Sequence, residues 1–112
     1  MSDNADPVHG EPLRIEANYE GSEATIILEA EFDLTGAGQF GASFSEALAA
    51  SPRSITFHAP DLTFIDSSGL KALLHARAAA THAGVAFRVS EPSPALRRIA
   101  EITGIKDLLE GE

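Results

Sequence analysis

Residues 61–74, DLTFIDSSGLKALL, constrain the fold of this chain more than any other stretch. An apolar segment, residues 62–65, leads into Asp66-Ser67-Ser68-Gly69, and a helical pattern begins at once. Apolar residues then recur three and four positions apart, at Leu70, Leu73, Leu74 and Ala78, which is typical of a buried helical stripe. An Asp or Ser directly before such a stripe is an N-cap signal, because its side-chain oxygen accepts from unpaired backbone N–H groups. The segment therefore predicts an exposed turn at the start of a helix.

The two adjacent serines give this turn a free hydroxyl. We expect one of Ser67 and Ser68 to cap the helix and the other to stay free, and Gly69 to leave both accessible because it has no side chain. A phosphate on the free hydroxyl would be stabilised by the helix N-terminus, where N–H groups and the dipole favour negative charge. It would also add about −1.5 to −2 charges beside Asp66, which makes a reversible switch physically plausible.

Alternating apolar and polar residues predict strands on both sides of this stretch. Residues 13–19 and 24–32 form two strands that turn at residues 20–22, which predicts a β-hairpin. Residues 54–59 predict a third, central strand, and residues 85–89 predict a fourth after the stop signal at Gly84. Residues 105–109 predict a short edge strand. The hairpin and the later strands thus supply one sheet.

Helical patterns separate these strands. We expect Thr35 to cap a helix through about Ser51, and Ser93 to cap a last helix that Gly104 ends. The stripe of that last helix is Leu96, Ile99, Ala100 and Ile102 or Thr103. The order β-β-α-β-α-β-α-(β) predicts an α/β domain with a mixed sheet of about four to five strands. Residues 1–12 are polar and are predicted to form a flexible tail, and residues 13–112 form the domain.

Composition narrows the classes of function. The 112 residues suffice for one domain, and aliphatic side chains are expected to fill the core because aromatic residues are scarce. A net charge of −9 argues against a nucleic-acid or anionic-membrane surface, since both require a basic footprint. The absence of cysteine excludes disulfides and thiolate zinc sites. The sequence shows neither a secretory signal nor an apolar run of the roughly 18 residues that a membrane helix needs, so we expect a cytoplasmic protein without membrane insertion.

The segment GAGQFG, residues 36–41, suggests a different function. It matches the G-x-G-x-x-G pattern of dinucleotide-binding loops, and Asp61 follows about 20 residues later. Residues 31, 33, 34 and 35 separate it from the apolar strand, however, and that strand pairs in a hairpin rather than opening a βαβ unit. A second nucleotide-binding half also does not fit in 112 residues. We therefore interpret the glycines as a loose helix start, and nucleotide binding is kept only as an alternative.

Other motifs favour ordinary structural roles. His75 and His82 are about 10.5 Å apart along one helix, too far to share a metal ion, and both are expected on a solvated face. His9 lies in the tail, and His58 is expected to be partly buried. The turn does not match the G-x-S-x-G motif of hydrolases, so an enzyme is not expected. Arg97 and Arg98 are interpreted as a solvated helix face.

The sequence resembles the STAS domain family in three places, and most strongly the bacterial anti-sigma factor antagonists of that family. Residues 61–70, DLTFIDSSGL, resemble the phosphorylation segment of these proteins. Residues 29–33, EAEFD, are similar to an early Gly-Glu-Leu-Asp segment, with Ala30 where the family usually has Gly. Residues 91–104, EPSPALRRIAEITG, are similar to the late Ser-Pro-x-hydrophobic-Arg helix. The resemblance implies the same element order as the hydrophobic patterns.

The resemblance also implies a function in transcription regulation by partner switching. The unphosphorylated form would bind a serine kinase that doubles as an anti-sigma factor, and so release the sigma factor. The kinase would phosphorylate Ser68, the serine directly before Gly, and a serine phosphatase would reverse this. The implied contact surface is Asp66, Ser67, Ser68, Gly69 and Lys71, with no cofactor. The alternative is a constitutive STAS-like subunit of a larger assembly, such as a lipid transporter, in which Ser68 is not phosphorylated.

Overall fold

The fold begins with the predicted hairpin. A computed structural model describes residues 11–109. Strand β1 (Arg14–Glu20) pairs antiparallel with β2 (Glu23–Phe32). Gly21 forms the turn with a φ of 61°, a left-handed conformation that glycine adopts without steric cost. Pro12, assigned from sequence to the tail, forms an isolated parallel bridge with Glu31, and residues 1–10 lie outside the described residues.

Three further strands extend the hairpin into a mixed five-stranded sheet. Strand β3 (Ser54–His58) lies parallel to the first half of β2, and β5 (Ala86–Ser90) lies parallel to β3. Strand β4 (Leu62–Ile65) pairs parallel with the end of β2, so the order is β1-β2-β3-β5 with β4 joined to β2. The central position of β3 is confirmed. The sequence missed β4 as a strand, because four residues are too short to show a period and its partner is distant in sequence.

Three helices complete the α/β domain: α1 (Leu34–Ala49), α2 (Ser67–His82) and α3 (Pro94–Thr103). For two of them, the N-cap residue differs from the predicted one. The cap of α1 is Asp33 rather than Thr35, because Asp33 Oδ1 accepts from both the backbone N and the hydroxyl of Thr35, at 3.0 and 2.6 Å. The cap of α2 is Asp66, described below. Ser93 caps α3 as predicted, with Leu96 N 3.1 Å from Ser93 Oγ, and Gly104 ends it at φ 76°.

The segment after α3 does not form the predicted edge strand. Ile105 N donates to Ala100 O at 2.8 Å, which turns the chain back onto α3, and Lys106–Leu108 form a 3₁₀ helix. Leu108 is fully buried there. Ile102 is 75% exposed and Thr103 is exposed as well, so both alternatives for the last position of the predicted α3 stripe are wrong. The stripe consists of Leu96, Ile99 and Ala100. Where the sequence predicted a strand, the chain instead returns to α3 and buries Leu108.

Aromatic rings occupy the centre of the core, contrary to the aliphatic core expected from composition. Five of the six phenylalanines form a continuous series of ring contacts, with centroids 5.0–6.4 Å apart: Phe32, Phe40, Phe44, Phe57 and Phe87. Contacts at these distances stabilise a core beyond the area they bury, by about 0.5–1.5 kcal/mol each. The rings join α1 to β2, β3 and β5, and α2 packs beside α1 on the buried face.

Ala30 is strained in the conformation that its position in β2 requires. Its φ is 72°, and the register between β2 and β4 shifts between Ala30 and Glu31. Two hydrogen bonds hold this bulge: Ala30 N donates to Asp61 O at 3.1 Å, and Thr63 Oγ1 donates to Ala30 O at 3.2 Å. Left-handed geometry costs a non-glycine residue about 1–2 kcal/mol, which explains why glycine suits this site.

We expect Ala30→Gly to change the free energy of unfolding by less than about 1 kcal/mol, because relief of strain offsets added chain entropy and a lost buried methyl group. Ala30→Val is expected to cost about 2 kcal/mol more than Ala24→Val, since β-branched residues fit left-handed backbone poorly. Ala24 is also buried in β2 but in regular backbone, which makes it the matched control. Urea unfolding measures all three. Equal losses for the two valine variants would contradict strain at Ala30.

Candidate functional site

Two helices begin side by side at one edge of the sheet. Phe32 and Ile65 are register partners at the ends of β2 and β4, and each strand leads through one aspartate into a helix. Asp66 N donates to Phe32 O at 3.3 Å, which ties the two strand ends together. The carboxyl ends of parallel strands are the usual place for functional sites in α/β sheets. The sequence predicted the α2 start but not its pairing with the start of α1.

Asp66 caps α2, and this corrects the expectation that one of the serines does so. Asp66 Oδ1 accepts from Gly69 N at 3.1 Å, and Asp66 O accepts from Leu70 N at 3.0 Å. A carboxylate cap accepts a hydrogen bond from an otherwise unpaired N–H, and its negative charge interacts favourably with the positive end of the helix dipole. Because the aspartate fills this role, neither serine is needed for it.

Among the described residues, both serine hydroxyls are consequently free of hydrogen-bond partners. Ser67 is exposed and Ser68 is half-buried in the first turn of α2. Within residues 11–109, neither hydroxyl makes a hydrogen bond to another side chain or to the backbone. A group added to either oxygen therefore breaks no cap and no hydrogen bond among these residues.

Gly69 is buried, and its role differs from the expected one of exposing the hydroxyls. A Cβ at this position would lie 2.6 Å from Phe32 O, 2.9 Å from Ile65 Cγ1 and 3.0 Å from Phe32 Cγ. Only a residue without a side chain lets α2 approach the ends of β2 and β4 this closely. Gly69 therefore fixes the position of the serine turn on the sheet.

Lys71 lies one turn after Ser68, and both line a groove between α1 and α2. The groove has a volume of about 520 Å³, and we call it the α1–α2 groove. Its floor contains Phe40 and Phe44, and small residues form much of its walls. Within the described residues, Lys71 is exposed and forms no ion pair. Of the predicted contact residues, Ser68 and Lys71 thus meet at one cavity.

Leu34 is a groove residue that sequence reasoning missed. It is the first residue of α1 and is 72% exposed, beside the end of the groove that Ser68 lines. The signal was present in the sequence, because a leucine directly after a capping aspartate lies in an open first turn rather than in a buried stripe. The exposure of Leu34 was not predicted because Thr35, and not Asp33, was expected to cap α1.

The cap of α1 adds negative charge at the same sheet edge. The hydrogen bond from the Thr35 hydroxyl, with a second from the Thr35 backbone N, lowers the pKa of the Asp33 carboxyl. Asp33 therefore stays ionised to lower pH than an ordinary aspartate. Asp33 and Asp66 are thus both placed at helix N-termini, where negative charge is favourable.

The glycine-rich segment lies inside α1, as the helix-start interpretation predicts. Gly36, Gly38 and Gly41 are all helical, whereas a dinucleotide fingerprint places its glycines in a turn before the helix. Strand β2 forms the hairpin and also opens a parallel β2-α1-β3 unit, so the expectation that it opens no βαβ unit was wrong. Nucleotide binding is instead disfavoured because these three glycines are helical and form no phosphate-binding turn.

The histidines occupy the predicted environments. His75 and His82 are exposed on α2, and His58 is half-buried with Nδ1 3.3 Å from Ser90 Oγ. His9 lies outside the described residues. Over residues 11–109, no cluster of three or more potential metal ligands occurs, and no helix has the length and apolar character to cross a membrane.

Solved structures with this fold include anti-sigma factor antagonists. One, from Mycobacterium paratuberculosis, matches with a TM-score of 0.76 and 20% identity, covering 88% of this chain and 83% of its own. SpoIIAA in its unphosphorylated form matches with a TM-score of 0.73 and 22% identity, covering 88% of this chain and 85% of its own. The Bacillus protein SpoIIAA in its phosphorylated form matches with a TM-score of 0.68 and 22% identity, covering 88% of each chain. At these identities the similarity shows the fold.

A protein of a transporter family shares the fold as well. A sulfate transporter family protein from Wolinella succinogenes matches with a TM-score of 0.66 and 17% identity, covering 81% of this chain and 75% of its own. A search of curated proteins by sequence gave no significant match. The family model described as "Mlab, STAS domain" matches residues 15–110. That match spans most of the chain and agrees with the fold, so this protein belongs to the STAS domain family.

Proposed function

We propose that this protein is a bacterial anti-sigma factor antagonist and acts by binding rather than by catalysis. Its unphosphorylated form binds an anti-sigma factor serine kinase in the cytoplasm and so releases the sigma factor. The kinase transfers the γ-phosphoryl group of ATP to Ser68, which ends the binding, and a serine phosphatase restores it. The observation that carries this proposal is the half-buried Ser68 hydroxyl beside Lys71, which has no hydrogen-bond partner within residues 11–109.

The surroundings of Ser68 suit a reversible modification. Asp66 holds the cap, so a phosphate on Ser68 leaves the α2 start intact while gaining from the helix N-terminus. Residues three apart on a helix are neighbours, so the ammonium of Lys71 is close enough to pair with the phosphate. The two forms then differ in surface charge at the turn, while the fold stays the same. SpoIIAA, which shares the fold, is described in both an unphosphorylated and a phosphorylated form.

Phosphosite mapping tests the proposal. Each anti-sigma-type serine kinase of the native host is incubated with the protein and ATP, and intact mass is followed by peptide mass spectrometry. We expect one phosphate, on Ser68, in the wild type and in Ser67→Ala, and none in Ser68→Ala. A phosphate found mainly on Ser67, Thr63 or Thr81 would refute the assignment of Ser68 as the phosphorylation site. All three residues are more exposed than Ser68, so an unspecific kinase would reach them more easily.

A second candidate function is a constitutive interaction subunit of a larger assembly, such as a transporter of lipids. The shared fold of the Wolinella succinogenes sulfate transporter family protein favours it. In that function Ser68 is not phosphorylated, and the turn is a permanent contact. An unchanged intact mass with every host kinase, together with stable co-purification of a transporter subunit, would favour this function over the first.

A further inference from the structure

The α1–α2 groove extends well beyond the serine turn. Its lining runs from Leu34 to Leu48 on α1 and from Ser68 to Ala79 on α2. At 1.5 Å per residue these spans are about 21 and 16 Å, the length of a helix of about three to four turns. Residues 11–109 leave apolar walls of this length uncovered, and such walls are suited to a partner.

The groove differs from the rest of the protein in charge. Among the described residues that line it, the ionisable ones are Lys71 and His75, and none is acidic. The whole chain, by contrast, carries a net charge of −9. The two helices begin at the same end of the groove, where the carboxylates of Asp33 and Asp66 cap their positive dipole ends, so among the described lining residues it is Lys71 that supplies the positive charge. The groove therefore complements an apolar surface that carries negative charge.

The shape of the groove favours a helix over a small amphiphilic molecule. Small-ligand pockets bury about 70–90% of their ligand. Here, lining residues on both helices are exposed along its length: Leu34, Gly41, Ser45, Lys71 and His75. An amphipathic helix needs only one face buried, with anchors three and four residues apart, and the small residues Ala37, Gly41 and Ala72 allow its close approach.

We propose that the α1–α2 groove receives one acidic amphipathic helix of the serine kinase. The apolar side chains of that helix pack over Phe40 and Phe44, and a carboxylate pairs with Lys71. This inference rests on the proposed function and adds the partner's chemistry to it. It also explains a switch at Ser68: a phosphate there pairs with Lys71 in the same chain and repels the incoming carboxylate.

Two glycines of α1 provide a matched test. Gly41 lines the groove, whereas Gly38 does not, and both are exposed helical positions with no atom within 4 Å of an added Cβ. Gly41→Glu and Gly38→Glu therefore add the same charge and the same gain in helix propensity. With the purified kinase, we expect Gly41→Glu to weaken binding by about 10-fold or more, since it places like charge in the interface, and Gly38→Glu by less than about twofold.

A crosslink identifies the occupant. The chain has no cysteine, so Ser45→Cys in the groove can be labelled specifically with a maleimide benzophenone, with Gly38→Cys as the control. We expect crosslinks from Ser45→Cys within one kinase segment that has apolar residues three and four apart and at least one acidic residue. Crosslinks to an extended or basic segment, or equal crosslinking from Gly38→Cys, would overturn the proposal.

The outcomes separate this inference from the proposed function. If the kinase binds and phosphorylates the wild type while both glutamate variants bind equally well, the groove is wrong and the function stands. If no host kinase binds or modifies the wild type, the function fails and the kinase helix fails with it. Sodium myristate is also titrated into the wild type, Gly38→Glu and Gly41→Glu. If myristate binding is lost in Gly41→Glu alone while kinase binding is unchanged, the groove binds an anionic amphiphile and the proposal of a kinase helix is overturned.

Discussion

Replacing Ser68 with aspartate is expected to weaken binding to the serine kinase by about 100-fold or more, while the domain stays folded. A charged group that is desolvated without a partner, or beside a like charge, costs several kcal/mol in an interface, and about 1.4 kcal/mol is tenfold in affinity. Ser68 lines the groove and is half-buried before any partner binds, so docking removes water from it further. Aspartate carries less charge than phosphate, so phosphorylation itself is expected to have the larger effect.

The same substitution changes stability little. A negative charge at a helix N-terminus contributes about 0.3–1 kcal/mol, and repulsion from the carboxylate of Asp66 offsets a similar amount near solvent. Thermal melts and partner titrations of the wild type, Ser68→Ala and Ser68→Asp separate the two effects. Ser67→Asp is the matched control: it adds the same charge one residue away, at an exposed position that does not line the groove.

Three results would contradict this account. Equal affinity of the wild type, Ser68→Ala and Ser68→Asp for the kinase would refute a charge switch at Ser68. A large drop in melting temperature for Ser68→Asp would mean that any lost binding reflects unfolding instead. Equal losses for Ser67→Asp and Ser68→Asp would show that charge anywhere on the turn suffices, without a specific role for the groove.

Gly69→Ala is expected to lower the free energy of unfolding by about 1–3 kcal/mol, the usual cost of inserting a methyl group into a packed interior. The upper part of that range applies because the nearest atom, 2.6 Å from the added Cβ, is the backbone oxygen of Phe32 and cannot rotate away. Either α2 moves off the sheet or β2 bends. Both movements displace Ser68, so kinase binding is expected to fall as well.

Gly38→Ala is the control for the substitution itself. Gly38 lies in the interior of α1 with open space around its Cβ position, so alanine there is expected to stabilise the protein by about 0.5–1 kcal/mol. Urea unfolding of the two variants should therefore show changes of opposite sign. A Gly69→Ala variant as stable as the wild type would mean that the close approach of α2 to Phe32 is not required. Calorimetric titration with nucleotides tests the other role of Gly38: a measurable affinity in the wild type that is lost in Gly38→Ala would restore the dinucleotide hypothesis.

Local patterns were sufficient for most elements and for the candidate serine. The hairpin, α2 and α3 follow from residue periods and stop signals within short windows, because the hydrogen bonds of turns and helices join near neighbours. The serine turn is likewise contained in ten consecutive residues, 61–70. Strand β4 escaped notice because it exists only through pairing with the end of β2.

Contacts between distant residues decided the rest. Asp66 and the two serines are equivalent as caps in the sequence, but tethering of Asp66 N to Phe32 O directs the carboxylate to Gly69 N and frees both hydroxyls. Gly69 reads as a residue of an open turn, yet the approach of β2 makes it buried. The α1–α2 groove depends on two helices that are far apart in the chain and begin beside each other. The sequence shows which residues can cap a helix or occupy a turn. Which of them does so is decided by close packing, after the sheet has brought distant segments together.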